Sequence, residues 1–159
     1  MEEILTILEE TPWWVYLVFV YLVSMGVKAI KPRTVPVKRL VIFPAILTVL
    51  GLTGMQWKAA PIVSWGLLLA IGFGLGWFLV RKWKIRYDRG RGTLRLPGTW
   101  TTLILALLFF AVKYFFGFYT ATHPVVPIEM VAIQSGASGF ITGLFIGRLA
   151  FFWKRYEEV

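Results

Sequence analysis

Three ionisable residues, Lys113, Glu129 and Arg148, stand in or at the edge of apolar stretches of this chain. A charge there costs roughly 2.5 to 3.5 kcal/mol at the centre of a bilayer, so each asks for a partner or a route to water. Lys113 lies about four residues beyond the middle of its apolar run, a rise of ~6 Å, on the side where Glu129 opens the next run. Three readings stay open for the two: a buried or half-buried ion pair, a lysine that snorkels to the interface, or a polar site for a substrate or proton. Arg148 falls about a turn from the end of the last apolar run, where snorkelling or headgroup binding is expected rather than burial.

Other chemistry is sparse. His123 is the single histidine, in Ala121-Thr122-His123-Pro124, with Met130 seven residues on. Histidine and methionine can ligate a haem iron, but a lone loop histidine is ordinarily solvated, and no second histidine or cysteine completes a metal site. The sole aspartate, Asp88, falls in a turn, and no serine has a basic partner. Neither a nucleophile nor a paired acid and base assembles, so the chain is read as no enzyme, without metal or cofactor. Gly90-Arg91-Gly92 lacks the lysine and the strand-to-helix setting of a phosphate loop.

The elements that must position these residues follow from composition. Of 159 residues, 58% are hydrophobic and 16% charged, with mean hydropathy +0.72. A soluble domain carries roughly 25% charged residues, and a chain this short cannot hide so much apolar surface in one aqueous core. Lipid is the expected solvent. Without cysteine, disulfides and thiolate metal sites are excluded. The net charge of +9 is assigned to anionic headgroups rather than to nucleic acid, because it is concentrated where a membrane protein carries its inward-facing bias.

Five spans are expected, at residues 13–30, 40–55, 61–80, 99–119 and 128–153, each near the ~20 residues a bilayer needs except the second. That second run contains Pro44, Gly51 and Gly54. It is nevertheless read as crossing, since otherwise the two basic connections would face opposite sides. Residues 1–11 read as a short interfacial helix with Ile4, Leu5, Ile7 and Leu8 on one face, and Thr11-Pro12 as the start of the first span.

Twelve of the seventeen basic residues lie in two connections. The first holds Lys28, Lys31, Arg33, Lys38 and Arg39; the second holds Arg81, Lys82, Lys84, Arg86, Arg89, Arg91 and Arg95. All but Lys28 and Arg95 are taken as headgroup-binding positions. The charge rule then predicts a multi-pass membrane protein with its N-terminus outside and its C-terminus in the cytoplasm. Residues 83–97 alternate apolar and charged around turn residues, which predicts a cytoplasmic β-hairpin between the third and fourth spans. The fold class is thus an all-α polytopic membrane protein, one transmembrane domain over residues 1–159, with a small hairpin.

Glycines recur every four residues at Gly72 and Gly76 in the third span, beside Gly66, Ala70 and Gly74. They recur likewise at Gly139, Gly143 and Gly147 in the fifth. Such spacing lets backbones approach closely, so the third and fifth spans are expected to pack together or to form a homodimer seam. Spans two and three and spans four and five also read as two similar pairs, a faint internal repeat.

The first basic connection, KPRTVPVKRLVIFP, with the small pair Thr53 and Gly54 downstream, resembles the CcdC-like family of small bacterial membrane proteins. IRYDRGRGTLRLPGTW, the lysine in LLFFAVKYFFGF, and the last helix from Glu129 through Gly147 and Arg148 match in the same order, over most of residues 28 to 152. The resemblance implies five spans, the cytoplasmic hairpin, and Lys113, Glu129 and Arg148 as the positions of interest. The family's association with cytochrome c maturation finds no thiol pair or convincing haem ligands here. The leading functional expectation is a non-catalytic accessory or assembly factor of the bacterial inner membrane that binds anionic lipid or a partner protein, as a homodimer or with a membrane partner protein. The alternative is a small oligomeric transporter of an anionic or neutral solute, using Lys113 and Glu129.

Overall fold

The computed structural model describes residues 1–53 and 55–158. Gly54, Val159 and the side chains of Glu3, Ile4 and Ile7 lie outside the described residues, so Gly54 of the small pair and half of the apolar face expected near the N-terminus are among them. In chain order the elements are α1 (Glu2–Glu10), α2 (Trp13–Ile30), β1 (Arg33–Pro36), α3 (Val37–Leu52) and α4 (Ala59–Val80). They continue with β2 (Arg86–Asp88), β3 (Thr93–Leu96), α5 (Thr101–Thr122) and α6 (Ile128–Glu158).

Among the described residues, four helices, α2, α4, α5 and α6, are long and apolar enough to cross a membrane. The fifth expected span, α3, has 16 residues and a length of ~24 Å at 1.5 Å per residue, short of the ~30 Å hydrocarbon core. The outward faces of the long helices are apolar: Val20 is 63% exposed, Leu67 62% and Phe78 60%. Trp13, Trp57, Trp100 and Trp153 are exposed at helix ends, where indole rings favour a membrane interface.

Helix α6 is the central element. Its 31 residues extend past the expected end at Trp153, and Val131, Ser135, Ile141, Thr142, Leu144 and Arg148 are all buried. Most of its packing is against α4, backbone to backbone. A Cβ on Gly72 would meet the Phe140 carbonyl oxygen, one on Gly76 that of Leu144, and ones on Gly139, Gly143 and Gly147 those of Trp65, Leu69 and Phe73. The glycine stripes therefore face each other within one chain. Gly66 and Gly74 lie on the other side of α4, with nothing within 4 Å of a Cβ there.

The start of α2 differs from expectation in its cap. Pro12 rather than Thr11 is the N-cap of α2, with no side-chain cap bond, and the Thr11 hydroxyl instead lies 3.3 Å from that of Tyr114. Proline fixes its own φ and begins the helix without a capping hydroxyl.

The predicted hairpin is present, and it has a third strand. The sheet order is β1-β3-β2, antiparallel throughout, with Val35 opposite Leu94 and Leu94 opposite Tyr87. Leu94 and Leu96 are buried on Val37, Val80, Phe151 and Phe152, so the sheet covers one end of the α4–α6 pair. Gly92, with φ 61°, makes the turn, a conformation that side chains resist. The hairpin tip is tied down by Arg89, whose Nε donates to the Tyr156 carbonyl at 3.3 Å and whose Nη2 donates to that of Glu157. A cation on the last carbonyls of a helix complements its dipole.

Candidate functional site

The sheet gathers both basic connections at one end of the bundle. Because facing residues in a ladder share a side, Thr34, Arg95 and Arg86 form the outer row, and Arg33 lies on the inner side with Val35, opposite Leu96. Arg86 stands directly across from Arg95 on that outer row, an unfavourable pair of like charges unless an anion lies against it. Lys38, Arg39, Arg81, Lys82, Lys84, Arg86, Arg89 and Arg91 are exposed. Arg91 lies 3.9 Å from Asp88 in an exposed pair, the kind that contributes little.

Beneath the inner side of β1 is a cavity of about 510 Å³ between the ends of α2, α3, α5 and α6. Five cations line it, Lys28, Lys31, Arg33, Arg39 and Arg148, and no carboxylate does. Burial lowers the pKa of Arg33 from its ordinary value, but a guanidinium keeps its charge at neutral pH.

Arg148 departs from expectation. It is only 4% exposed, because α6 continues for ten residues beyond it and the sheet closes over that turn. Snorkelling along the helix is thereby blocked. Its guanidinium carbon stands 5.3 Å from the centroid of the Trp83 ring and 5.7 Å from that of Phe145, which gives cation–π attraction in a desolvated setting. Nη1 donates to the Thr102 hydroxyl at 3.5 Å, while Nε and Nη2 are buried with no hydrogen-bond partner among the described residues.

A second cavity, of about 560 Å³, lies at the opposite end between α2, α3, α5 and α6, and Lys113 lines it with Glu10, Gln56, Tyr114 and Gln134. Lys113 and Glu129 are not an ion pair. Both salt bridges among the described residues join neighbours three apart at the basic end, and Glu129 is exposed in the first turn of α6, where a carboxylate complements the helix dipole. The Lys113 ammonium instead donates to the carbonyls of Gly51 at 3.4 Å and Thr53 at 3.1 Å. The other terminal carbonyls of α3 are also met. Val49 accepts from the Thr53 amide at 3.0 Å, Leu52 from the Met55 amide at 3.2 Å, and Leu50 from the Thr53 hydroxyl at 2.7 Å. Lys113 thus helps cap the end of α3, where a buried carbonyl left unmet would cost about 1 to 3 kcal/mol.

Between the two cavities lies an apolar cluster of Leu22, Phe43, Leu47, Ala106, Phe109, Ile141 and Phe145. Phe43 and Phe145 wall the basic cavity, and Leu22 and Phe109 the other. Beside the cluster, a Cβ on Gly51 would stand 3.1 Å from the Ser138 hydroxyl, 3.4 Å from that of Thr142 and 3.8 Å from the Trp65 indole nitrogen. Those three polar atoms are buried without hydrogen-bond partners among the described residues.

His123 is exposed, its ring stacked on Tyr119 at 4.1 Å between centroids. No group of three or more His, Cys, Asp or Glu suited to a metal occurs among the described residues. Sequence reasoning passed over Lys28, Thr102 and Trp83 as parts of a site, since only the sheet and the crossing of helix ends bring them beside Arg148. The chain matches no protein-family model, no curated protein and no solved structure.

Proposed function

We propose that the chain is a non-catalytic, five-span protein of the bacterial inner membrane, an accessory or assembly factor whose basic end engages anionic headgroups. One observation carries this reading: both basic connections belong to a single sheet at one end of the bundle, with Arg86 set against Arg95 and a cation-lined cavity beneath. Each Lys or Arg near an anionic surface contributes about 1 kcal/mol of attraction. Membership of the CcdC-like family is proposed on the residues quoted above.

Strand pairing supports five crossings. β1 precedes α3 and β3 follows α4, and the two strands are hydrogen-bonded partners. If α4 crosses, α3 must cross as well, or the paired strands would be on opposite sides of the bilayer. The charge bias then assigns the sheet and C-terminus to the cytoplasm and the N-terminus to the periplasm. A homodimer is proposed along the outer stripe of α4, Gly66, Ala70 and Gly74, all exposed at four-residue spacing. A membrane partner protein is the other occupant of that stripe.

The second reading, an oligomeric transporter, is favoured by one arrangement: two cavities at opposite ends, with buried hydroxyls of Ser138 and Thr142 beside the cluster that walls both. Lys113 would serve it without Glu129. If the faint repeat is real, α4 and α6 are the corresponding helices of its two pairs, and they form the glycine seam.

Mass spectrometry of lipids and small molecules retained by the protein in mild detergent tests both readings. Anionic lipid enriched over its share of the source membrane is expected. A lipid profile equal to the bulk membrane would refute the headgroup reading, and a retained soluble metabolite would favour transport.

A further inference from the structure

We infer that Arg148 is the anchor of a specific site for one oxyanion group, phosphate or carboxylate, held in the cavity at the basic end. This rests on the headgroup reading above and narrows it from a charged surface to one residue and one bound molecule per chain.

The argument begins with an incomplete arginine. Its side chain is 4% exposed, yet Nε and Nη2 have no partner and Nη1 has only a 3.5 Å contact with Thr102. A buried charge with no counterion and most of its donors unmet is among the costlier features a fold can carry. The aromatic faces of Trp83 and Phe145 offset part of that cost, but they offer no acceptor in the guanidinium plane. What the fork lacks is a pair of oxygens, and phosphate or carboxylate supplies them in bidentate geometry.

The surroundings select for the same group. All five charged residues lining the cavity are cations, so nothing within it neutralises Arg148 internally. Lys28 and Lys31, both exposed, stand at the rim, where they attract an anion without having to desolvate. The volume of about 510 Å³ is that of a small-molecule site. Its inner wall is apolar, formed by Phe43, Phe145 and Phe152, which suits a hydrocarbon chain attached to the anionic group. The same oxyanion chemistry is offered by an acidic phospholipid or by a soluble phosphate ester, and the wall favours the lipid. Trp83, Thr102 and Arg148 line the cavity together, so the Thr102 hydroxyl stands as a second donor beside the guanidinium.

The test is native mass spectrometry of the delipidated full-length protein, titrated separately with dioleoyl-phosphatidylglycerol, dioleoyl-phosphatidylcholine and glycerol 3-phosphate. One phosphatidylglycerol per chain is expected to bind at least about tenfold more tightly than phosphatidylcholine. Arg148→Gln removes that difference and Arg148→Lys retains part of it, as a point charge replaces a fork. Because Arg148→Gln could compromise folding, Lys28→Gln is the companion variant. This exposed rim change weakens phosphatidylglycerol binding severalfold, whereas Lys58→Gln, one charge removed at the far end, does not. Tighter binding of the phospholipid than of glycerol 3-phosphate identifies lipid as the source. Equal binding of the two, still lost in Arg148→Gln, identifies a soluble ester. Undiminished phosphatidylglycerol binding in folded Arg148→Gln and in Lys28→Gln overturns the inference while leaving the headgroup reading standing. Failure of the wild type to prefer phosphatidylglycerol overturns both.

Discussion

Lys113 and Arg148 are both lone cations on apolar helices, and their environments give them different work. Lys113 has acceptors, the carbonyls that end α3. Arg148 has aromatic faces and open donors. Lys113→Met is therefore expected to destabilise the protein by about 1.5 to 3 kcal/mol, the range for hydrogen bonds to a charged group, with Lys113→Arg between it and the wild type. Denaturation midpoints in detergent check this. A Lys113→Met protein as stable as the wild type but unable to take up solute in proteoliposomes would move Lys113 from helix cap to transport site. That these two residues stand apart was legible in the sequence, because a charge on an apolar background is conspicuous. Their partners were not, since backbone carbonyls carry no sequence signal and Trp83 reads as an interfacial aromatic. The proposed pairing of Lys113 with Glu129 rested on charge complementarity alone, and the open carbonyls of a short helix are the stronger claim on a lysine.

At the scale of elements, glycine spacing identified which helices pack, because period and residue size together determine how closely backbones approach. The spacing could not tell the inner stripe of α4 from its outer one. Gly72 and Gly76 face α6, whereas Gly66, Ala70 and Gly74 face outward, and one substitution on each separates their roles. Gly76→Leu places side-chain atoms in the Leu144 carbonyl, and its cost should exceed the 1 to 3 kcal/mol typical of overpacking, with loss of folded protein in size-exclusion chromatography. Ala70→Leu should leave the unfolding free energy within about 0.5 kcal/mol of wild type, as exposed substitutions do. It should convert dimer to monomer, and a dimer that survives it places the interface elsewhere. The hairpin was legible from its alternation and turn residues. Strand β1 was not, for it is four residues long and ends in Pro36, and proline reads as a breaker except on a sheet edge, where β1 lies.

At the scale of the molecule, a chain of this size arranges its charge along one axis. The sheet end carries the two basic connections and the oxyanion cavity, while the far end holds α1, Lys58 and the cavity of Lys113. Composition and charge bias made the long apolar helices and this polarity readable, because both are sums over many residues. The sites were less readable, since each depends on helix ends that meet only after folding.

The claim on which the rest depends is that both basic connections share one side of the bilayer, with α3 and α4 crossing between them. Since the chain has no cysteine, single cysteines can be labelled on a silent background. A membrane-impermeant maleimide applied to intact spheroplasts should label Lys58→Cys and His123→Cys at once, and Lys31→Cys and Gly90→Cys only after permeabilisation. Labelling of Lys58→Cys from the same side as Lys31→Cys, or of Lys31→Cys and Gly90→Cys from opposite sides, would contradict the five-crossing arrangement and the shared basic end built on it.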